Sequence, residues 1–497
     1  MVLHCCSRFA HINAMRTNYQ LENTHDSGET MDSMTPSTDL HDLDRRYALH
    51  PFTALAEHER NGPLVMTKGE GVWLEDTAGR RYIDSMAGLW CVNVGYGRRE
   101  IADTLHAQAL RLPYYHSFSS MATDTPILLA EKLIQMSPVP MSKVFFGNSG
   151  SDANDTQVKL VWYYNNARGL PQKKKIIARQ RGYHGVTVVA AGLTGLPGMH
   201  AGFDLPLPFV RHTTAPHRLW QAEPGQSDAA FVARLAADLE NLILAEGPET
   251  VAAMIMEPVM GAGGVIVPPA GYYAAIQAVL DKYDVLLIAD EVICGFGRLG
   301  TQFGSEKMGM RPDLMTVAKG ITSAYVPLSA CIVSEKIWQG LLQGGERYGA
   351  FAHGYTYSAH PLAAAVALTN LQIIEDENLV AQAGARGDVM HRLLRETFAD
   401  HPAVGEIRGV GLMGAVEFVA ARDPATPFDP ALKVAPRIAK AALQEGLITR
   451  ALPQGDSISF SPPFVISEDE IAEMVARARR AVDTVFTQLH AEGHWKG

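Results

Sequence analysis

The sequence is poor in the features that announce several common functions. Cysteine is scarce, five in 497 residues. Cys5, Cys6, Cys91, Cys294 and Cys331 form no CxxC pair. This excludes a cysteine-based zinc site and a disulfide framework, and reads as the reduced thiols of a cytoplasmic protein. A basic excess is lacking as well: 43 Lys and Arg stand against 53 Asp and Glu, a net charge of −10. Nucleic-acid binding needs a basic patch, and the short run Lys173-Lys174-Lys175 is a solvated edge before an apolar strand. Long apolar runs are also missing. The richest stretch, Val251 to Leu280, is interrupted by Glu257, glycines and prolines, so no membrane span is expected. There is no GxxxxGK[ST], HExxH or GxSxG. Gly409-Val-Gly411-Leu-Met-Gly414 fits GxGxxG but runs into a strand-like segment instead of opening a helix, so the dinucleotide reading fails.

What is present is a chain long enough for large cores, about three domains by length. Residues 1–44 are polar, lack apolar periodicity and read as a disordered extension without a secretory signal. Residues 45–80 are expected to join the small domain, 81–360 to form the large domain and 361–497 the small one. Short apolar runs alternate with helical patterns, which predicts a mostly parallel sheet with crossover helices. The expected strands are Lys143–Phe146, Lys175–Ala178, Ala252–Met256, Val285–Ala289, Leu314–Ala318 and Ser329–Val333, with helices over Asp152–Ala167 and Tyr272–Tyr283. The tail reads as α+β: helices Pro361–Glu375 and Leu379–Phe398, a strand Val416–Val419, and a last helix opened by the capping box Ser467-Glu468-Asp469-Glu470.

Four features fall at carboxyl ends of expected strands, the edge where open α/β sheets bind ligands. Gly147-Asn148-Ser149-Gly150-Ser151 joins a strand to a helix and presents small residues and amides to an anion. By itself it is also an ordinary capped turn. The apolar run Val285–Ala289 ends in Asp290-Glu291, and a carboxylate there is costly unless it meets a cation or caps a helix. Leu314–Ala318 ends in Lys319-Gly320, where a desolvated amine could form a Schiff base. Arg181-Gly182-Tyr183-His184-Gly185 offers a flat ring and a hydrogen-bonding edge. Together they suggest a phosphate cup, a pyridinium acid, an imine lysine and an aromatic lid, the set that pyridoxal phosphate requires.

The runs Asn148–Asn154, Gly182–Gly185, Asp290–Arg298 and Ala318–Gly320 resemble class III aminotransferases, pyridoxal-phosphate enzymes of fold type I. The resemblance covers roughly residues 46 to 490. Met86–Gly97, with Leu89-Trp90-Cys91, is similar to the ω-transaminase, amine:pyruvate branch. It implies an α/β fold with a large, mostly parallel-sheet domain and a smaller α+β domain. It also implies pyridoxal 5′-phosphate held as an imine on Lys319, which moves the substrate proton, while Asp290 keeps the pyridine nitrogen protonated. Ser149, Gly150 and Ser151 would bind the phosphate, and Thr356 would reach the phosphate of a partner subunit. Tyr183 and Val292 would pack on opposite faces of the ring, and His184 and Glu257 join the cofactor-binding set. Phe52, Leu89, Trp90 and Phe118 would narrow the substrate pocket with Tyr183. Arg450 resembles the mobile arginine of this branch, which pairs with a carboxylate and swings away for a simple amine.

At two positions the sequence departs from ornithine and GABA aminotransferases: Ala262 stands where they carry a glutamate, and Ile293 where they carry a glutamine. Both changes make the pocket less polar and favour pyruvate over 2-oxoglutarate. The expected reaction is a ping-pong transfer of an amino group from a primary amine or ω-amino acid to pyruvate, giving an aldehyde or ketone and L-alanine. The resemblance also implies a homodimer or dimer of dimers with sites at the interface. The alternatives on the same cofactor set are a 2-oxoglutarate-dependent transaminase, an aminomutase or a decarboxylating transaminase.

Overall fold

A computed structural model describes residues 37–496. By contacts the chain divides into two compact units, Met1–Val65 and Met66–Gly497. The expected disordered extension lies mostly outside the described residues, but its boundary needs correcting, because Ser37–Tyr47 is helical. In that first unit Asp44 accepts from His50 and His58 at 2.7 and 3.0 Å.

The second unit is built on a seven-stranded sheet. Its strands in chain order are β1 Lys143–Gly147, β2 Lys175–Arg179, β3 Val210–Thr213, β4 Val251–Met256, β5 Leu286–Asp290, β6 Leu314–Val317 and β7 Ser329–Val333. They lie side by side as β1-β7-β6-β5-β4-β2-β3. Only β7 runs against its neighbours. β4 and β5 are buried at every position, as apolar strands covered on both faces by crossover helices must be. The expected strands and helices are all found, with ends shifted by a residue or two. One shift matters: β5 extends to Asp290, which pairs with Thr316 of β6, so the carboxylate belongs to the sheet itself.

Helix α1, Gly150–Ala167, begins two residues earlier than expected. Ser149 caps it: its Oγ accepts from the Asp152 amide while the Asp152 carboxylate accepts from the Ser149 amide. This reciprocal pair satisfies donors that a helix start otherwise leaves open.

The C-terminal part carries helices α2 Pro361–Asp376, α3 Leu379–Phe398 and α4 Glu468–Ala491 beside a four-stranded antiparallel sheet. That sheet comprises β8 Val404–Gly409, β9 Gly414–Phe418, β10 Arg450–Ala451 and β11 Asp456–Phe460. The GxGxxG run is the β8–β9 turn, with Gly409 opposite Gly414. At Gly411, where φ is +55°, a Cβ would lie 2.6 Å from the Arg298 carbonyl oxygen. The last helix opens on the expected box, Ser467 with Glu470. A third sheet, Met66–Glu70, Trp73–Asp76 and Arg81–Asp84, takes Leu447–Ile448 as its fourth strand. No helix among the described residues is long and apolar enough to cross a membrane.

Candidate active site

The parallel strands deliver their chemistry to one edge. Asp290 ends β5 and is 3% exposed. Its Oδ2 accepts from Asn154 Nδ2 at 2.9 Å and meets His184 Nδ1 at 2.8 Å, and its Oδ1 accepts from the Val292 amide at 3.1 Å. A carboxylate buried at a strand tip is thus held in one orientation by three neighbours, which offset part of its desolvation. Asn154 also donates to the His184 carbonyl at 2.7 Å, locking the Tyr183-His184 loop to α1.

Lys319 follows β6 with φ of +51°, a conformation uncommon outside glycine. Its Nζ lies 5.7 Å from the Trp90 ring centroid. Burial of the amine pushes its pKa down from the ordinary lysine value. A desolvated amine is neutral over a wider pH range, which suits nucleophilic attack on a carbonyl and proton transfer.

Beyond β1, the amides of Gly150 and Ser151 open α1. Space is tight there: a Cβ on Gly150 would stand 3.0 Å from Val292, and one on Gly185 would stand 2.5 Å from Ser151 Oγ. Ser151 Oγ accepts from the Val186 amide at 3.0 Å. Tyr183 packs against the apolar cluster of Trp90, Ala262 and Ile293. A cup of small residues at a helix start, a fixed buried carboxylate, a desolvated amine and an apolar wall fit a phosphorylated pyridine aldehyde in charge and shape.

The remaining site residues separate into three groups. Glu257 keeps both oxygens on backbone amides, Tyr183 N at 3.0 Å and Gly261 N at 2.8 Å. The pocket residues divide by burial: Trp90 and Ile293 are buried, whereas Leu89 and Phe118 are exposed. Trp90 and Ile293 press on Gly261, where an added Cβ would come within 2.5 Å of either ring or methyl. Phe52 is exposed and belongs to the first unit. Thr356 is exposed as well, and its carbonyl accepts from Tyr114 OH at 2.6 Å. Arg450 sits in β10 opposite Ser459. Burial lowers its pKa, and no carboxylate pairs with it among the described residues.

The sequence reading missed two contributors. Asn154 closes the run Asn148–Asn154, but nothing in its spacing points to Asp290, 136 positions away. Arg181 reads as part of a turn, while its contacts span three separate loops.

Comparison with known proteins agrees with this geometry. The family description "Aminotransferase class-III" matches residues 54–482. An uncharacterized aminotransferase of Sinorhizobium fredii is 53% identical over 458 residues, covering 92% of this chain and 98% of the relative. A diaminobutyrate–2-oxoglutarate transaminase of Halomonas elongata is 51% identical over 466 residues, covering 93% and 99%. Among solved structures, the ω-transaminase of Pseudomonas jessenii in complex with PMP superposes with a TM-score of 0.89 at 49% identity, covering 91% of this chain and 99% of that one.

Proposed function

The chain belongs to the class III aminotransferases, pyridoxal-phosphate-dependent enzymes of fold type I, and on that premise we propose that it moves an amino group from a primary amine or ω-amino acid to pyruvate. The observation that supports the acceptor is Arg450: a desolvated guanidinium without a carboxylate partner among the described residues, beside a wall made by Trp90, Ala262 and Ile293. A guanidinium fork matches a carboxylate bidentately, and the apolar wall offers nothing to a second one.

Bound pyridoxal phosphate supplies an electron sink for the carbanion that proton removal leaves on the substrate. Lys319 would hold the cofactor, and its desolvated amine would carry the proton to and from the substrate carbon. Asp290, oriented by Asn154 and His184, would pair with the pyridine nitrogen and favour its protonated form. Gly150, Ser151 and Ser149 seat the phosphate, and Thr356 completes the cup of a partner subunit in a dimer. Tyr183 and Val292 clamp the ring. Glu257 acts through backbone, fixing the Tyr183 loop against Gly261. Leu89 and Phe118 border the entrance. The mild apolarity of the wall excludes water from the reacting carbon.

A second reading has a specific support. The Halomonas elongata relative is named for 2-oxoglutarate, and a second carboxylate would then need its own partner. A donor panel of ω-amino acids, diamines and simple amines, run with pyruvate and with 2-oxoglutarate, decides between them. Alanine forming in step with donor loss is the expected result. Glutamate formation with no alanine would replace pyruvate by the longer acid.

A further inference from the structure

Behind the pocket wall lies a buried ionic network to which neither the cofactor nor the reacting carbon gives a role. Arg181 is its centre. Nε donates to the Gly263 carbonyl at 2.8 Å, Nη2 to the Gln454 carbonyl at 2.7 Å, and Nη1 meets His217 Nδ1 at 2.9 Å. Because a guanidinium only donates, His217 Nδ1 carries the lone pair and the ring proton is on Nε2. That nitrogen faces Glu406 and Glu417, 3.4 Å from each. Arg408 closes the network: Nη1 reaches Glu406 at 2.8 Å and also Glu417, and Nε donates to the Gly264 carbonyl at 2.8 Å. Trp220 Nε1 donates to the second Glu417 oxygen at 2.6 Å. The set His217, Glu406 and Glu417 has metal-ligand composition, but two guanidinium groups already neutralise the two carboxylates, which leaves no net negative charge to draw a cation.

The three backbone segments joined here all carry pocket residues. Gly263 and Gly264 belong to the loop of Ala262, and Gly263 lies so close that an added Cβ would overlap the Arg181 carbonyl oxygen at 1.8 Å. Gln454 belongs to the turn of the β10–β11 hairpin that carries Arg450, closed by Leu452 N to Ser457 O at 2.9 Å. The same turn rests on Glu417, since a Cβ on Gly455 would be 3.0 Å from its Oε1. Arg181 itself stands two residues before Tyr183. One planar side chain therefore ties the hairpin of Arg450, the wall of Ala262 and the loop of Tyr183 together.

We propose that Arg181, held by His217, Glu417 and Arg408, is a positioning residue that sets Arg450 for the carboxylate of a 2-oxo acid and so governs acid-over-amine discrimination. The inference rests on reading Arg450 as the carboxylate partner. Releasing Gln454 lets the hairpin relax, and small displacements of a bidentate clamp are costly. A substrate without a carboxylate does not use that clamp and is indifferent to its position.

The test measures KM and kcat of the holoenzyme with one amine donor and two acceptors: the 2-oxo acid it uses best, and an aldehyde lacking a carboxylate. Arg181→Gln is expected to raise KM for the acid about tenfold while leaving KM for the aldehyde and the cofactor content as in wild type. His217→Asn, which keeps an acceptor toward Arg181, should stay near wild type, and His217→Leu should shift KM in the direction of Arg181→Gln. The histidine pair carries the test if Arg181→Gln does not fold. Adding Arg181→Gln to Arg450→Ala should cause no further rise, because the first acts through the second. Equal changes for both acceptors, no change for either, or additive effects in the double variant would each overturn the proposal. If Arg450→Ala itself affects acid and aldehyde alike, the reading of Arg450 fails instead, and the two failures are told apart.

Discussion

The floor and the wall of the site are built differently. On the floor, Asp290 is held by Asn154, His184 and the Val292 amide, and the helix start proposed to seat the phosphate is capped by the Ser149–Asp152 pair. Those groups stand on strand tips and a helix start of one sheet, whose register fixes them. On the wall, Leu89 and Phe118 are exposed and Arg450 has no carboxylate partner among the described residues. These residues stand on a short, irregular helix Ala87–Trp90, a loop and a two-residue hairpin strand. On the proposed assignment, the step common to every substrate rests on the tips of the central sheet, and the part that must accept different substrates rests on a loop, a short helix and a two-residue strand. Loops carry variable function on a fixed scaffold for the same reason.

Substitutions on the two sides should separate cleanly. The largest effect belongs to the floor: Lys319→Ala is expected to reduce turnover by about 10⁴-fold or more and to abolish the visible imine absorbance. Turnover persisting in purified protein would break the assignment. Asp290→Asn should cost about 10²- to 10³-fold in kcat with cofactor still bound, measured by stopped-flow on the donor half-reaction; a wild-type rate would remove its role as the pyridinium partner. On the wall, Arg450→Ala should raise KM for pyruvate by about 10- to 100-fold, more than for a simple amine donor, as expected for loss of a charged hydrogen-bonded pair. Identical shifts in the two half-reactions would erase the distinction between floor and wall.

The smallest effect sharpens the comparison through stability. Burial alone would raise the Glu417 carboxyl, but Arg408, the facing His217 ring and the hydrogen bond from Trp220 hold it well below its ordinary value. A carboxyl depressed in the folded state contributes stability above its unfolded pKa of about 4.5 and loses it as pH falls toward the folded one. Glu417→Gln should therefore lower stability by about 3 kcal/mol at pH 7. Urea titrations of variant and wild type should converge as the pH drops below the ordinary carboxylate range. A difference independent of pH would mean that packing, not charge, is what Glu417 supplies.

Much of the floor was legible because it is local. The capping box at Ser467 and Glu470 was readable from four residues, though not that Trp73 Nε1 donates to that same Glu470 at 2.8 Å. Asp290 and Lys319 stood out as charges ending apolar runs. Element ends were less legible: β5 takes in Asp290 because Thr316 on the neighbouring strand pairs with it, a partner no single strand reveals. The helix at Ser37–Tyr47 is hard to read because only Leu40, Leu43 and Tyr47 mark an apolar side in the otherwise polar run STDLHDLDRRY.

The sequence by itself determined the class of chemistry. Which residue types end which strands is written in hydrophobic runs, turns and caps, and these act over a few residues. Tertiary structure alone decided how those groups are oriented and coupled. Asn154 was given to Asp290, and Arg181 to Gly263, Gln454 and His217. Glu257 was given to the amides of Tyr183 and Gly261. Such pairings join positions tens to hundreds of residues apart, and only the packing of buried polar groups, each of which must find a partner away from water, selects them.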